Sequence, residues 1–304
     1  MKKDLLSIQN LTTQEIVDLL DLAAEVKAGS AKFASKLKGK SIGLIFQKPS
    51  NRTRVSFEIG MYQLGGNSIY LGSTEIGIGA RESVKDVACV LSRYLNGIVA
   101  RVYKHEVVEG LARHASIPII NGLSDLAHPC QALGDMFTIR EKFGSFKGVT
   151  LAYIGDGNNV LNSLMVAAAK LGTDVKVAAP KGYEPDMAMV RLAKALAAKS
   201  GSKMEFSNDP HKAARDADVL YTDVWVSMGQ EKEADKRIKA FKDYQVNDKL
   251  LKIAKTRCSV MHCLPAHRGQ EITDSVMDSN HSIVYDQAEN RMHVQKAILL
   301  KLLK

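Results

Sequence analysis

Hydrophobic positions along this chain follow two alternating rhythms. Short apolar runs recur at 41–46 (SIGLIF), 67–71, 97–101 (GIVAR) and 117–121, and each is followed by a stretch with apolar residues three and four apart. Runs of the first kind are strands buried on both faces of a parallel sheet, and the second period belongs to amphipathic helices, so the alternation predicts βαβ units. Thr12-x-x-Glu15 is a capping box that starts a helix ending near Gly29. After the first strand a helix-like stretch sets Val55, Ile59 and Tyr62 on one face, and 130–143 reads as a longer helix that stops at Gly144. The segment SFKGVTLAYIGDGNN then opens a second strand series, continuing at 174–179, 219–222, 259–262 and 282–285, with loops at 180–185 and 207–210 and a final helix over 287–304. The pattern predicts an α/β chain of two domains, each a parallel β-sheet flanked by helices, with a boundary near Gly144. No internal repeat or low-complexity tract interrupts it.

Composition narrows the function classes. With 304 residues, 45% of them hydrophobic, the chain can bury the cores of two ordinary domains. No apolar run approaches the roughly 20 residues of a membrane span, and the opening MKKDLLSIQN breaks its apolar residues too early for a secretory signal. Four cysteines without a Cys-x-x-Cys pair indicate free thiols in a reducing compartment, hence a cytoplasmic protein. The formal charge of +9 is dispersed among acidic residues, as in EKEADKRIKAFKDYQ, and no finger, aromatic RNA-binding motif or basic arm accompanies it. That excludes nucleic acid as the natural partner and favours a small anion.

Candidate chemistry gathers where strands give way to helices. KPSNRTRVSFE places Ser50, Asn51, Arg52, Thr53 and Arg54 directly after the first strand. A helix N-terminus beyond the carboxyl end of a parallel strand offers free N–H groups and positive partial charge, and hydroxyls with guanidinium forks suit phosphate oxygens. The plainer reading is a capped helix with two surface arginines. No Gly-x-x-x-x-Gly-Lys-Ser/Thr occurs. YIGDGNN offers Gly155 and Gly157, but Val160 stands in the place of a third glycine and the next strand ends VAAP without an acid, so a nicotinamide enzyme stays only as a rival. HPCQ sets His128 and Gln131 at the start of the long helix, where they could orient a carbonyl and an amide or simply pack. SVMHCLPAHRGQE brings Cys263 to a strand end beside His262 and His267, a conceivable zinc set whose spacing fits no standard structural site. No metal and no cofactor are assigned.

Taken together, SNRTR, HPCQ, DGNN, DVWVSMG, HCLP and AENR occur in the order and spacing of the ornithine carbamoyltransferases, and the chain resembles that branch of the aspartate/ornithine carbamoyltransferase family over essentially its whole length. The resemblance implies transfer of the carbamoyl group of carbamoyl phosphate to the δ-amine of L-ornithine, giving L-citrulline and phosphate, in arginine metabolism, with arginine biosynthesis and arginine breakdown both open. It implies a carbamoyl phosphate domain of 1–143 plus the C-terminal helix 287–304, an ornithine domain of 144–286, and an active site in the cleft between them. Carbamoyl phosphate would be bound by Ser50, Asn51, Arg52, Thr53, Arg101, His128, Gln131, Cys263, the Leu264 carbonyl and Arg291, with Arg52, Arg101, His128 and Cys263 carrying catalysis. Ornithine would meet Asn159, Asp223, Ser227 and the Met228 N–H. Family members are homotrimers or multiples of trimers, so a neighbouring chain would supply the loop 73–82. Two positions depart from the family pattern: Asn51 replaces a threonine, and Gly77 replaces a glutamine or histidine of that loop, which implies a weaker hold on carbamoyl phosphate.

Overall fold

A computed structural model of the chain describes residues 3–79, 81–227 and 229–303. The chain divides into two compact units, Met1–Phe137 with Asn290–Lys304, and Thr138–Glu289. The division falls inside a helix rather than at Gly144.

The first unit is built on β1 (Ser41–Phe46), β2 (Asn67–Gly72), β3 (Gly97–Arg101) and β4 (Ile119–Leu123), in the order β2-β1-β3-β4. All its pairings are parallel, and Phe46 lies in register with both Gly72 and Arg101. Between and around the strands run α1 (Thr13–Ala28), α2 (Asn51–Gln63), α3 (Ser73–Ile76), α4 (Val84–Tyr94), α5 (His105–His114) and α6 (Pro129–Phe143). The Thr12 capping box forms as the sequence predicts: Thr12 Oγ1 accepts from the Glu15 N–H at 3.1 Å and Glu15 Oε2 from the Thr12 N–H at 2.8 Å. In α2 the buried face is Thr53, Phe57, Gly60 and Met61. Val55, Ile59 and Tyr62 do share a face, but it is the outer one, with Tyr62 76% exposed.

The second unit carries β5 (Thr150–Ile154), β6 (Asp174–Ala178), β7 (Met204–Ser207), β8 (Val219–Thr222) and β9 (Ser259–His262) in the order β7-β6-β5-β8-β9, again wholly parallel. Its helices are α7 (Asn159–Leu171), α8 (Met187–Ser200), α9 (Pro210–Ala214), α10 (Ala234–Phe241), α11 (Asp248–Ile253) and α12 (Asp274–Met277), followed by α13 (Val284–Leu302). Ile154, Leu220, Val260, Phe241 and Val284 close one face of the sheet. Two expectations are corrected. Strand β7 goes unread in the sequence because it is a short, half-exposed edge, and the strand expected at 282–285 shrinks to a single bridge from Ser282 to Val260 before α13 begins. Because each sheet is parallel throughout, its strand carboxyl ends share one edge, and the residues just beyond them are brought together.

Candidate active site

In the first unit the neighbouring strands β1, β3 and β4 deliver one cluster. Ser50 caps α2, its Oγ accepting from the Thr53 N–H at 3.3 Å. Capping therefore uses Ser50 alone and leaves the other polar residues for something else. Arg54 turns outward, bonding Glu58 at 2.9 Å and lying 3.9 Å over the Tyr70 ring. Thr53 is buried, and its Oγ1 accepts from Arg291 Nη2 of α13 at 3.1 Å. Arg101, the last residue of β3, and His128, just ahead of α6, are also buried, Arg52 is half-buried and Asn51 exposed. Burial, reinforced by the charges of Arg291 and Arg101, holds His128 well below the ordinary histidine range, so its imidazole is neutral between cations. Gln131 Nε2 donates to Asp135 Oδ1 at 2.8 Å, which leaves Gln131 Oε1 buried with no hydrogen-bond partner among the described residues. Cys130 is no nucleophile: burial pushes its thiol up to about 12, and it lies against the Asn121 carbonyl at 3.5 Å.

In the second unit β5, β8 and β9 deliver another. Asp223 is its hub, accepting from Asn158 Nδ2 at 2.7 Å, Cys263 Sγ at 2.9 Å and the Val224 N–H at 2.8 Å. The Oδ1 of Asn158 also caps α7 through the Val160 and Leu161 N–H groups at 3.0 and 3.2 Å. Asn159 opens that helix. The Ser227 N–H donates to Gln230 Oε1 at 3.0 Å; Met228 lies outside the described residues. Behind the hub, Arg237 pairs with Asp156 at 2.5 Å, donates through Nε to the Trp225 carbonyl, and sits 4.8 Å from the Tyr183 ring centroid and 5.4 Å from that of Phe241. Burial raises the Asp156 carboxyl to about 6, Arg237 opposing the rise and Asp223 adding to it. Leu264 adopts a φ of +59°.

Ligating atoms of Asp223, His262 and Cys263 lie within 4.8 Å of one another. Both His262 ring nitrogens are already engaged, Nδ1 by the Leu264 N–H at 2.8 Å and Nε2 by Glu271 Oε1 at 3.1 Å, so the trio reads as a hydrogen-bonded network rather than an ion cage. His267 joins it only through its backbone. The dinucleotide rival fares no better. A Cβ on Gly157 would stand 2.3 Å from the Pro185 nitrogen, and Asn158 occupies the α7 N-terminus where a pyrophosphate would sit. Gly77 has a backbone reason to be glycine: its φ is +53°, and a Cβ there would lie 2.8 Å from Arg81 Cβ. A side chain cannot simply be restored at that position.

Sequence reasoning passed over Asn158, Asp135, Asp156, Arg237 and Glu271. Two had local signals: Asp135 stands one helical turn from Gln131, and Asn158 occupies a capping position before an apolar run. The others find their partners only through the fold.

Parallel sheets, an arginine-rich cradle in one unit and a carboxylate hub in the other define a two-substrate α/β transferase. The chain belongs to the aspartate/ornithine carbamoyltransferase family: the carbamoyl-P binding domain model matches residues 3–141 and the Asp/Orn binding domain model residues 147–302. It is 54% identical over 303 residues to an ornithine carbamoyltransferase of Pyrococcus horikoshii, covering 99% of this chain and 96% of that one. It is equally 54% identical to the anabolic ornithine carbamoyltransferase of Pyrococcus furiosus, over 98% of this chain and 95% of that one. Among solved structures, ornithine carbamoyltransferase from P. furiosus matches with a TM-score of 0.94, 54% identity and coverage of 97% and 95%. The Thermus thermophilus enzyme matches with a TM-score of 0.91 and 46% identity over the full length of both chains.

Proposed function

We propose that this chain is an ornithine carbamoyltransferase, moving the carbamoyl group of carbamoyl phosphate onto the δ-amine of L-ornithine. The observation that carries the reading is the presence of both substrate-specific clusters, each at the carboxyl edge of its own sheet, in a chain of this family.

In this reading the phosphate rests on Ser50, Asn51, Arg52, Thr53 and Arg101, where the α2 N-terminus and two guanidinium groups meet its charge. The carbonyl oxygen lies near Thr53, Arg101 and His128, with Arg291 closing the set. A neutral His128 donates one hydrogen bond there and adds no third full charge. Gln131, its NH₂ committed to Asp135, turns Oε1 toward the carbamoyl NH₂. Cys263 and the Leu264 carbonyl complete that recognition. Asp223 receives the α-ammonium of ornithine, while Asn159, Ser227 and the Met228 N–H take the α-carboxylate and its surroundings.

The δ-ammonium first loses a proton. The free amine then attacks the carbonyl carbon, a tetrahedral oxyanion forms, the C–O bond to phosphate breaks, and a second proton passes from nitrogen to the leaving phosphate. Acceleration comes from positioning and from donors already aimed at the developing charge.

The name of the P. furiosus relative supports the biosynthetic direction, towards citrulline for arginine. The reading assigns 1–143 with 287–304 to carbamoyl phosphate and 144–286 to ornithine, limits a few residues away from those of the compact units. Four cysteines unpaired with one another suit the cytoplasm, and among the described residues no helix is long and apolar enough to cross a membrane. The exposed apolar row Val55, Ile59 and Tyr62 on α2, with Ile69 exposed separately on edge strand β2, supports a homotrimer in which a neighbour offers its 73–82 loop.

A substrate panel tests the assignment. Carbamoyl phosphate supplied with ornithine, N-acetylornithine, putrescine or aspartate should give a carbamoylated product with ornithine alone. Equal turnover of putrescine or aspartate would remove the roles given to Asp223, Asn159 and Ser227.

A further inference from the structure

Leu264 is held in the left-handed region at φ +59°. A branched side chain avoids that conformation, which persists only where neighbours enforce it. The enforcing contact is visible: the Leu264 N–H donates to His262 Nδ1 at 2.8 Å. The other ring nitrogen, Nε2, faces Glu271 Oε1 at 3.1 Å, and both side chains are wholly buried. Since Nδ1 accepts, the ring proton sits on Nε2 and points at the carboxylate. Glu271 is fixed in turn by the His267 N–H, donating at 2.5 Å to the same oxygen. The His262 backbone is pinned as well, its N–H donating to Gln287 Oε1 at 2.9 Å while Gln287 Nε2 donates to the Tyr221 hydroxyl at 3.2 Å. The imidazole is thus clamped at both nitrogens, with Cys263 and Leu264 immediately beyond it.

We infer that His262, oriented by Glu271, is a positioning residue for carbamoyl transfer: it locks the Leu264 peptide so that the Leu264 carbonyl and the Cys263 thiol stand ready for the carbamoyl NH₂ and the incoming amine. The inference rests on the carbamoyl-transfer reading above. His262 touches no reacting atom, because each of its nitrogens is used to hold the loop.

Two substitutions separate this role from ordinary core packing. His262→Asn places an amide oxygen close to the position of Nδ1, so it keeps an acceptor for the Leu264 N–H and gives up the bond to Glu271. His262→Gln does the reverse, reaching Glu271 and abandoning the Leu264 N–H. Glu271→Gln retains an acceptor for both of its donors. With citrulline formation as the readout and thermal stability recorded for each variant, His262→Gln should lose about tenfold to a hundredfold in kcat. Glu271→Gln, which keeps both hydrogen bonds, should stay within about threefold of the parent, and His262→Asn, which keeps the bond to Leu264 and loses the anchor on Glu271, should lose less than His262→Gln. Equal losses in the Asn and Gln variants, or a Gln variant as fast as the parent, would overturn the inference. A parent protein that forms no citrulline would instead sink the carbamoyl-transfer reading. The orientation itself is scored without activity by ¹⁵N NMR of histidine-labelled protein: a resonance lost in His262→Gln should report protonated Nε2 and bare Nδ1, and a protonated Nδ1 would refute the clamp.

Discussion

At the scale of single residues, the site is governed by commitments that side chains make to one another before any substrate arrives. His128 is the clearest titrating case. Its folded pKa is depressed, chiefly by burial and then by Arg291 and Arg101, so below the ordinary histidine value near 6.5 the unfolded chain takes up a proton that the folded chain refuses. Stability from this group is complete above about pH 6.5 and falls as the pH drops beneath it, by at most about 1.4 kcal/mol per pH unit. His128→Gln, which cannot titrate, should therefore flatten the loss of stability between about pH 6.5 and 5 in denaturant unfolding. An unchanged slope would place the acid sensitivity elsewhere. Much at this scale was legible in the sequence, because residues that begin helices after strands announce themselves as SNRTR, HPCQ and DGNN. What was not legible is partner choice. Only the motif resemblance, and nothing in the local chemistry of the string, separates Arg52, half-buried in the cradle, from Arg54, which lies on Tyr70 and pairs with Glu58.

At the scale of elements, close approach between α6 and α13 places Arg291. A Cβ on Gly134 would come within 3.0 Å of Arg291 Cγ and 3.4 Å of its Cα, so the bare glycine lets the two helices meet. Gly134→Ala should push Arg291 away from Thr53 and raise the KM for carbamoyl phosphate several-fold, alongside an overpacking cost of about 1–3 kcal/mol in unfolding experiments. A stability loss with unaltered KM would mean that Arg291 does not serve that substrate. The elements themselves differ in how far sequence discloses them. Buried parallel strands such as GIVAR and TLAYI read as unbroken apolar runs. The edge strand MEFS, polar on one side and only half-covered, looks like loop. In α2 the periodicity gives the helix correctly but is silent on which face turns inward, and here the small and aromatic residues Gly60 and Phe57 are inside while Ile59 and Tyr62 are outside.

At the scale of the whole molecule, that outward row becomes a statement about assembly. Ile59→Glu alters a side chain already 42% exposed in the single chain, so the fold should be unaffected by circular dichroism. If the proposed homotrimer packs on this row, a charge there should nevertheless reduce the mass by light scattering from a trimer to a single chain and remove activity with it. Retention of the trimer would move the contact to another face. One further property follows from composition and position together. The chain has a single tryptophan, Trp225, lying between Asp223 and Ser227 and 3% exposed, with its indole 6.0 Å from the Phe241 ring and its carbonyl held by Arg237. Fluorescence excited beyond the tyrosine absorption band is accordingly the signal of one chromophore at one address, so the segment assigned to the amino-acid substrate carries its own optical reporter.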